Sequence, residues 1–421
     1  MANMTLQERN TYLTKRRWIV LIASCAANLC IGAIYAWSVF AGPMAEHLNT
    51  LNGTAKTAAD LAIVFSIANG DVFITMIAGG YLDEKIGSRR IIFIGVLAFG
   101  LGFVVSGLAR NVFMLVLGFS ILCGLAGGFA YVCTVSNSVK LFPDKKGLVG
   151  GISTASYGIS SVIIPPIADA LNRSVGVTWA FIIFGMVIIV LAALSSLLII
   201  NCPADFIPDG WVPPHFELES GSVEDKTARQ MLVTPIFYVM LGMLFVGCVL
   251  GLMMISEASG IAQTMIGMTP TAAALVVSIL ALFNTFGRII AGWISDRNGW
   301  INTLSAVFVA GALALLLMYV SGENRNAGLF CVGICLIGLC YGSFMGVYPG
   351  FTSDQFGVKY STLNYGIMFI GFSAAGFVGP IIMQAIFNGQ GSYRPAFLIA
   401  LVFAAAGFVM SILYRIIGKK A

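Results

Sequence analysis

The chain has 421 residues, of which 58% are hydrophobic and only 10% charged, and its formal net charge is +5. So few charges cannot cover the surface of a water-soluble protein of this length, and so small an excess of base does not mark a nucleic-acid-binding chain. Its nine cysteines lie in or at the ends of apolar stretches without a Cys-x-x-Cys or Cys/His cluster, so neither a disulfide scaffold nor a bound metal or other cofactor is expected.

The apolar residues come in long blocks. A helix needs roughly 20 residues to cross a bilayer core of roughly 30 Å. We count twelve such blocks, at about 17–43, 59–82, 89–108, 112–140, 146–171, 176–200, 234–262, 269–294, 301–321, 327–350, 360–387 and 393–416. The fold class expected is an all-α membrane protein with twelve transmembrane helices.

In chain order, span 1 follows Lys15, Arg16 and Arg17, with no cleaved signal expected, and holds Tyr35 in "IYAWS". Span 2 holds Asp71 in "SIANGDVFI", thirteen residues or roughly 20 Å from Glu84 in the loop that follows. Asp71 reads as a proton site or counter-ion, or as a hydrogen-bonded acid that packs spans together. Span 2 ends in "GYLDEKIG". Span 4 carries "AYVCTVSNSVKLFPDKKG", with Tyr131 nine residues, roughly 14 Å, before Lys140. A polar, proline-rich segment then divides the chain into 1–203, a linker at 204–228, and 229–421. Span 7 holds Glu257 towards its outer end, as a gate, a proton relay or an ordinary outer residue. Span 8 reads "ALFNTFGRIIAGWISDRNG". Span 10 holds Tyr341 and Tyr348. Span 11 opens with "STLNYG" and continues through Phe369, Phe372 and Phe377.

The positive-inside rule orients these spans. With the N-terminus inside, seventeen basic residues fall on inside segments and five on outside loops, and Arg288 falls within a span. Both termini are then cytoplasmic, and a multi-pass protein of the cell inner membrane is expected, working as a monomer. The halves also repeat. Gly80, Glu84, Lys85 and Gly87 pair with Gly292, Asp296, Arg297 and Gly299, each 212 residues on.

Arg288 raises the sharpest question. A charge at mid-bilayer costs roughly 2.5–3.5 kcal/mol on insertion scales, and a guanidinium cannot shed its proton. Arg288 lies eight residues, roughly 12 Å, before Asp296, too deep to reach surface water along its own stem. It is expected to face a wet cavity or an anion, the alternative being a guanidinium bonded to helix carbonyls. Asn284, one turn earlier, shares its face. A forked cation beside an amide donor matches the two oxygens of a carboxylate.

The paired loops resemble the signature of the major facilitator superfamily, with Glu84 where aspartate is usual. That resemblance spans the whole chain. It implies two pseudo-symmetric six-helix bundles and alternating access, with Glu84, Lys85, Asp296 and Arg297 as latch residues; solvated helix ends are the alternative. More narrowly, "NTFGRIIAGWISD", "IYAWS", "AYVCTVSNSVKLFPDKKG" and "STLNYG" resemble the oxalate/formate antiporter family and the related monocarboxylate transporters. By position, Tyr35 and Tyr131 fall on tyrosines that surround the carboxylate there, and Tyr341 on another aromatic. Two departures matter. The oxalate exchanger pattern has a lysine where this chain has Phe372, and animal monocarboxylate transporters have an aspartate where this chain has Asn284.

One cation suits one carboxylate, and Phe369 and Phe372 suit a methyl-bearing tail. The expected function is therefore secondary transport of a small monocarboxylate such as lactate, pyruvate or acetate. Its partners are that organic anion, a proton and the lipid bilayer. Carboxylate exchange of the oxalate:formate type is the alternative. No HExxH or GxSxG pattern suggests an enzyme. A non-transporting carboxylate sensor would need an output domain, for which 204–228 is too short.

Overall fold

The computed structural model describes residues 5–58, 60–70, 72–203, 205–212 and 225–418, and the regular elements among them are helical. In the first half, α1 (Leu6–Ile31) runs through a 3-10 turn (Gly32–Ala36) into α2 (Trp37–Asn52). Then come α3 (Ala62–Gly70), α4 (Val72–Ile86), α5 (Ser88–Gly107) and α6 (Val112–Leu115). A π-helical stretch (Val116–Cys123) leads to α7 (Gly124–Leu141), α8 (Lys146–Gly158) and α9 (Ser160–Leu198). The second half holds α10 (Ala228–Leu232), α11 (Pro235–Thr264), α12 (Pro270–Asn298), α13 (Trp300–Asn324), α14 (Ala327–Phe356), α15 (Ser361–Met368), α16 (Ile370–Gln390) and α17 (Arg394–Gly418).

Among the described residues, ten helical stretches are long and apolar enough to cross a membrane, eleven when α3 and α4 count as one crossing. The longest, Lys146–Leu198, has 53 residues, roughly twice what one crossing needs. Its backbone breaks at Gly176 (φ 79°, ψ 162°), so it holds two crossings and the twelve expected passes are accounted for.

Local chemistry sets several helix ends. Thr5 and Glu8 form a reciprocal capping box at the start of α1. Thr269 caps α12, whose first residue is Pro270. The two repeated loops end on glycines of matching geometry, Gly87 (φ 83°, ψ 150°) and Gly299 (φ 80°, ψ 153°). That region of backbone space is essentially closed to residues with a Cβ, which is why both copies keep glycine there.

The chain packs as two compact units. The first gathers Met1–Asp144, Ser156–Asp225 and Gly357–Ile367; the second gathers Lys145–Ala155, Lys226–Phe356 and Met368–Ala421. The opening turns of α8 therefore pack with the second unit, and α15 packs largely with the first. In the first unit, α5 lies along α9, and α4 and α1 along α7. Its core is aromatic: Phe40 stacks on Phe181 at 4.1 Å, with Phe103 and Phe119 adjoining. In the second unit α12 lies along α14, and α11 meets α14, α16 and α17. Between apolar helices in lipid, such close packing takes the place of the hydrophobic drive available in water.

Candidate functional site

In the second unit, α12 is held by glycines on two sides. Gly338, Gly342 and Gly346 recur every fourth residue and so share one face of α14. A Cβ on Gly342 would come within 2.0 Å of the Asn284 carbonyl oxygen, and one on Gly346 within 2.2 Å of the Arg288 carbonyl oxygen. From α8, a Cβ on Gly151 would meet that same Arg288 oxygen at 2.3 Å. Helix backbones therefore touch directly at the residue that carries the cation.

The Arg288 side chain is only 6% exposed. Its Nη1 donates to the Thr154 carbonyl of α8 at 2.6 Å, and its Nε makes a long contact of 3.4 Å to Asn284 Oδ1. Among the described residues, no hydrogen bond uses the Asn284 amide nitrogen, which is left as a donor. Among the described residues, no ion pair includes Arg288. The site thus offers a buried, permanently charged fork, one nitrogen of which is fixed by a backbone carbonyl. Thr154 was not legible as a partner: backbone acceptors leave no mark in a sequence, and this one lies 134 residues away.

Other expected residues of the second unit are placed as follows. Tyr341 is 7% exposed, and its ring lies over Gly251 of α11. Tyr348 is buried and spends its hydroxyl on the Met240 carbonyl at 2.8 Å, a packing role. Phe369 and Phe372 form a tilted pair with ring centroids 4.4 Å apart. Phe377 points outward and is 58% exposed. Glu257 accepts a hydrogen bond from the Gln384 amide and another from the Tyr393 hydroxyl, the latter at 3.0 Å, so it ties α11 to α16 and to the start of α17.

In the first unit the structure brings Tyr35 and Tyr131 together through a third ring, Tyr157, which sequence reasoning missed. Tyr157 lies 5.4 Å from Tyr35 and 5.0 Å from Tyr131, centroid to centroid. Tyr157 belongs to α8, three residues after Thr154. Asp71 lies outside the described residues.

The repeated loops differ in which acid is hydrogen-bonded. Asp296 accepts the backbone N–H groups of Gly147 at 2.6 Å and Leu148 at 2.8 Å. It is an acid seated on the positive N-terminus of α8. In the first unit the comparable role falls to Asp83, one position before Glu84. Asp83 is 8% exposed and accepts from the hydroxyls of Ser88 and Thr362, each at 2.6 Å. Lys140 Nζ stands 3.7 Å from Asp83 and donates to the Thr362 oxygen at 3.0 Å. Glu84 is exposed. In the 212-residue register Asp83 pairs with Ser295, and its burial beside Ser88 left no mark in the sequence. The basic residues of both loops behave alike. Lys85 sits over the Tyr81 ring at 4.3 Å, and Arg297 over the Trp293 ring at 4.0 Å, each stacked on the aromatic one turn earlier.

Among the described residues no cluster of His, Cys, Asp and Glu could hold a metal ion. Comparison with known proteins gives a consistent picture. A family model described as "Major Facilitator Superfamily" matches residues 18–322 and 258–420. The "Oxalate:formate antiporter" of Oxalobacter formigenes is 26% identical over 424 residues, covering 98% of this chain and 96% of its own. "Monocarboxylate transporter 11" of Homo sapiens is 25% identical over 395 residues, covering 91% of this chain and 79% of its own. Among solved structures, the proton:xylose symporter XylE bound to 6-bromo-6-deoxy-D-glucose shares the fold. Its TM-score is 0.70 at 14% identity, with 94% of this chain and 95% of that one covered.

Proposed function

We propose, from the premise that the chain belongs to the Major Facilitator Superfamily and is a transporter, that it carries a small monocarboxylate with a proton by alternating access. The observation that carries this reading is Arg288, a buried guanidinium with no carboxylate partner among the described residues. Leaving a cation unpaired in a dry site costs several kcal/mol, and a bound carboxylate offsets that cost. The remaining guanidinium N–H groups and the Asn284 amide supply donors of the right number for one carboxylate. Phe369 and Phe372 suit a short apolar tail of the lactate, pyruvate or acetate kind, and Tyr341, Tyr131 and Tyr35 are proposed as further site residues.

In this reading Asp71 takes up the proton and neutralises Arg288 when the carrier returns empty, and Glu257 gates the outer end. Cargo and proton together are neutral, which avoids working against a potential worth about 2.3 kcal/mol per charge per 100 mV. Asp296 and Arg297, with Glu84 and Lys85, act as latch residues on the cytoplasmic side of the inner membrane. The protein works as a monomer with both termini in the cytoplasm.

The likeness to an oxalate:formate antiporter along nearly the whole chain favours one second reading, exchange of one carboxylate for another. Uptake of labelled lactate into proteoliposomes separates the two. Symport predicts stimulation by an inward-directed proton gradient with no internal substrate; exchange predicts stimulation only by internal carboxylate. Failure of both, across lactate, pyruvate, acetate, formate and oxalate, would sink the carboxylate assignment.

A further inference from the structure

A second basic site lies in the first unit, away from Arg288 in sequence and built from different elements. A cavity of about 400 Å³ is lined by Tyr12 and Arg16 of α1, Arg89 of α5, Leu197 of α9, and Ile200 and Asn201 just beyond α9. Its volume falls within the range of small-ligand pockets. Each arginine is steadied by one bond of its side chain. Arg16 Nη1 donates to the Tyr12 hydroxyl at 2.6 Å, and Arg89 Nε donates to the Ser196 carbonyl at 2.6 Å. The Arg89 backbone N–H also donates to Asn201 Oδ1 at 2.7 Å, which fixes the α9 end against the start of α5. Among the described residues neither Arg16 nor Arg89 joins an ion pair, and no acid lines the cavity.

The surroundings say what kind of anion fits. The helix faces leading away from the cavity are apolar and exposed: Ile19 and Ile22 on α1, Ile94 on α5, Leu194 and Leu197 on α9. Leu197 is 68% exposed and lines the cavity as well. Exposed Lys15 and Arg90 add base at the same ends of α1 and α5. Two guanidinium forks at the end of lipid-facing helices match a phosphate group whose ester carries acyl chains. A free phosphate would use the forks and leave the apolar flank idle.

We infer that this cavity binds the phosphodiester headgroup of an anionic phospholipid, with the acyl chains along α1 and α9. The site is independent of the cargo of the transporter. It is tested on the full chain purified in detergent, by titrating phosphatidylglycerol, phosphatidylcholine or inorganic phosphate and following bound lipid by native mass spectrometry and melting temperature. Phosphatidylglycerol is expected to bind and raise the melting temperature, with little effect from the other two. Affinity should fall about fivefold in Arg16→Gln and about twenty-five-fold in the double variant with Arg89→Gln, as expected for two basic residues facing an anionic lipid. Arg325→Gln, outside the cavity, should bind as the parent does. Undiminished phosphatidylglycerol binding by the double variant overturns the proposal, as does equal protection by inorganic phosphate, which would make the ligand a soluble anion. Arg89 also holds a helix end, so if the double variant melts early without lipid, Arg16→Gln alone decides, since among the described residues Arg16 engages Tyr12 alone, through its hydroxyl and ring.

Discussion

Arg288 has its Nη1 on the Thr154 carbonyl at 2.6 Å and its Nε facing Asn284. A lysine has no planar fork with which to satisfy that carbonyl and present a second pair of donors to a carboxylate. Arg288→Lys is therefore expected to lower lactate uptake about ten- to hundredfold, the worth of one or two charge-assisted hydrogen bonds. Near-normal uptake by that variant would remove Arg288 from the site. Asp83 and Glu84 offer a second residue-scale contrast. Asp83→Asn takes a buried acceptor away from Ser88 and Thr362 and should cost about 1–3 kcal/mol of stability. The exposed Glu84→Gln should stay within about 0.5 kcal/mol. Thermal denaturation of the two variants checks the assignment. These residues also show what a sequence can and cannot reveal. A charge inside an apolar helix announces itself, so Arg288 and Asn284 were legible. Thr154 contributes a backbone oxygen and Tyr157 an unremarkable ring, so neither was.

Among the helices, the boundaries followed from the apolar blocks to within a few residues in most cases: the block at about 269–294 became Pro270–Asn298, and that at about 393–416 became Arg394–Gly418. The exceptions have a physical reason. The first span continues past its apolar stretch to Asn52 because Trp37–Asn52 stays helical though more polar, ending only at Gly53 with φ 63°. Contact between α12 and α14 rests on missing side chains, which a pattern of apolar residues does not report. Gly346→Ala would put a methyl group 2.2 Å from the Arg288 carbonyl oxygen and should cost about 1–3 kcal/mol through overpacking. Gly42→Ala, where a Cβ meets nothing within 4 Å, should instead be neutral or gain about 0.5–1 kcal/mol. Melting curves that rank these two the other way would refute the close helix contact. Gly299→Ala isolates backbone strain from crowding, because a Cβ there also meets nothing within 4 Å. A cost of about 1–3 kcal/mol is expected from its φ of 80° alone.

For the whole molecule, composition alone fixed the membrane class, and the 212-residue repeat exposed the two halves because glycine is required at the same turn in each. The make-up of the packed units was not legible. The first turns of α8 and most of α15 each cluster with the unit built mainly from the other half of the chain, and no periodicity within a helix marks where its neighbours change. The orientation proposed from basic residues is open to a direct check. In a chain stripped of its nine native cysteines, Asp209→Cys should react with an impermeant maleimide only in inverted membranes, and Asn326→Cys only in intact cells. The reverse pattern would turn the protein over in the bilayer.

The break at Gly176 has a consequence for how the protein is made. With no separate loop between the two crossings of Lys146–Leu198, they leave the ribosome as one hairpin whose polar tip is the few residues from Asp169 to Ser174, too short a tether for one crossing to wait on the other. Integration as a pair follows, and an epitope or glycan acceptor spliced in beside Gly176 should trap the nascent chain half inserted.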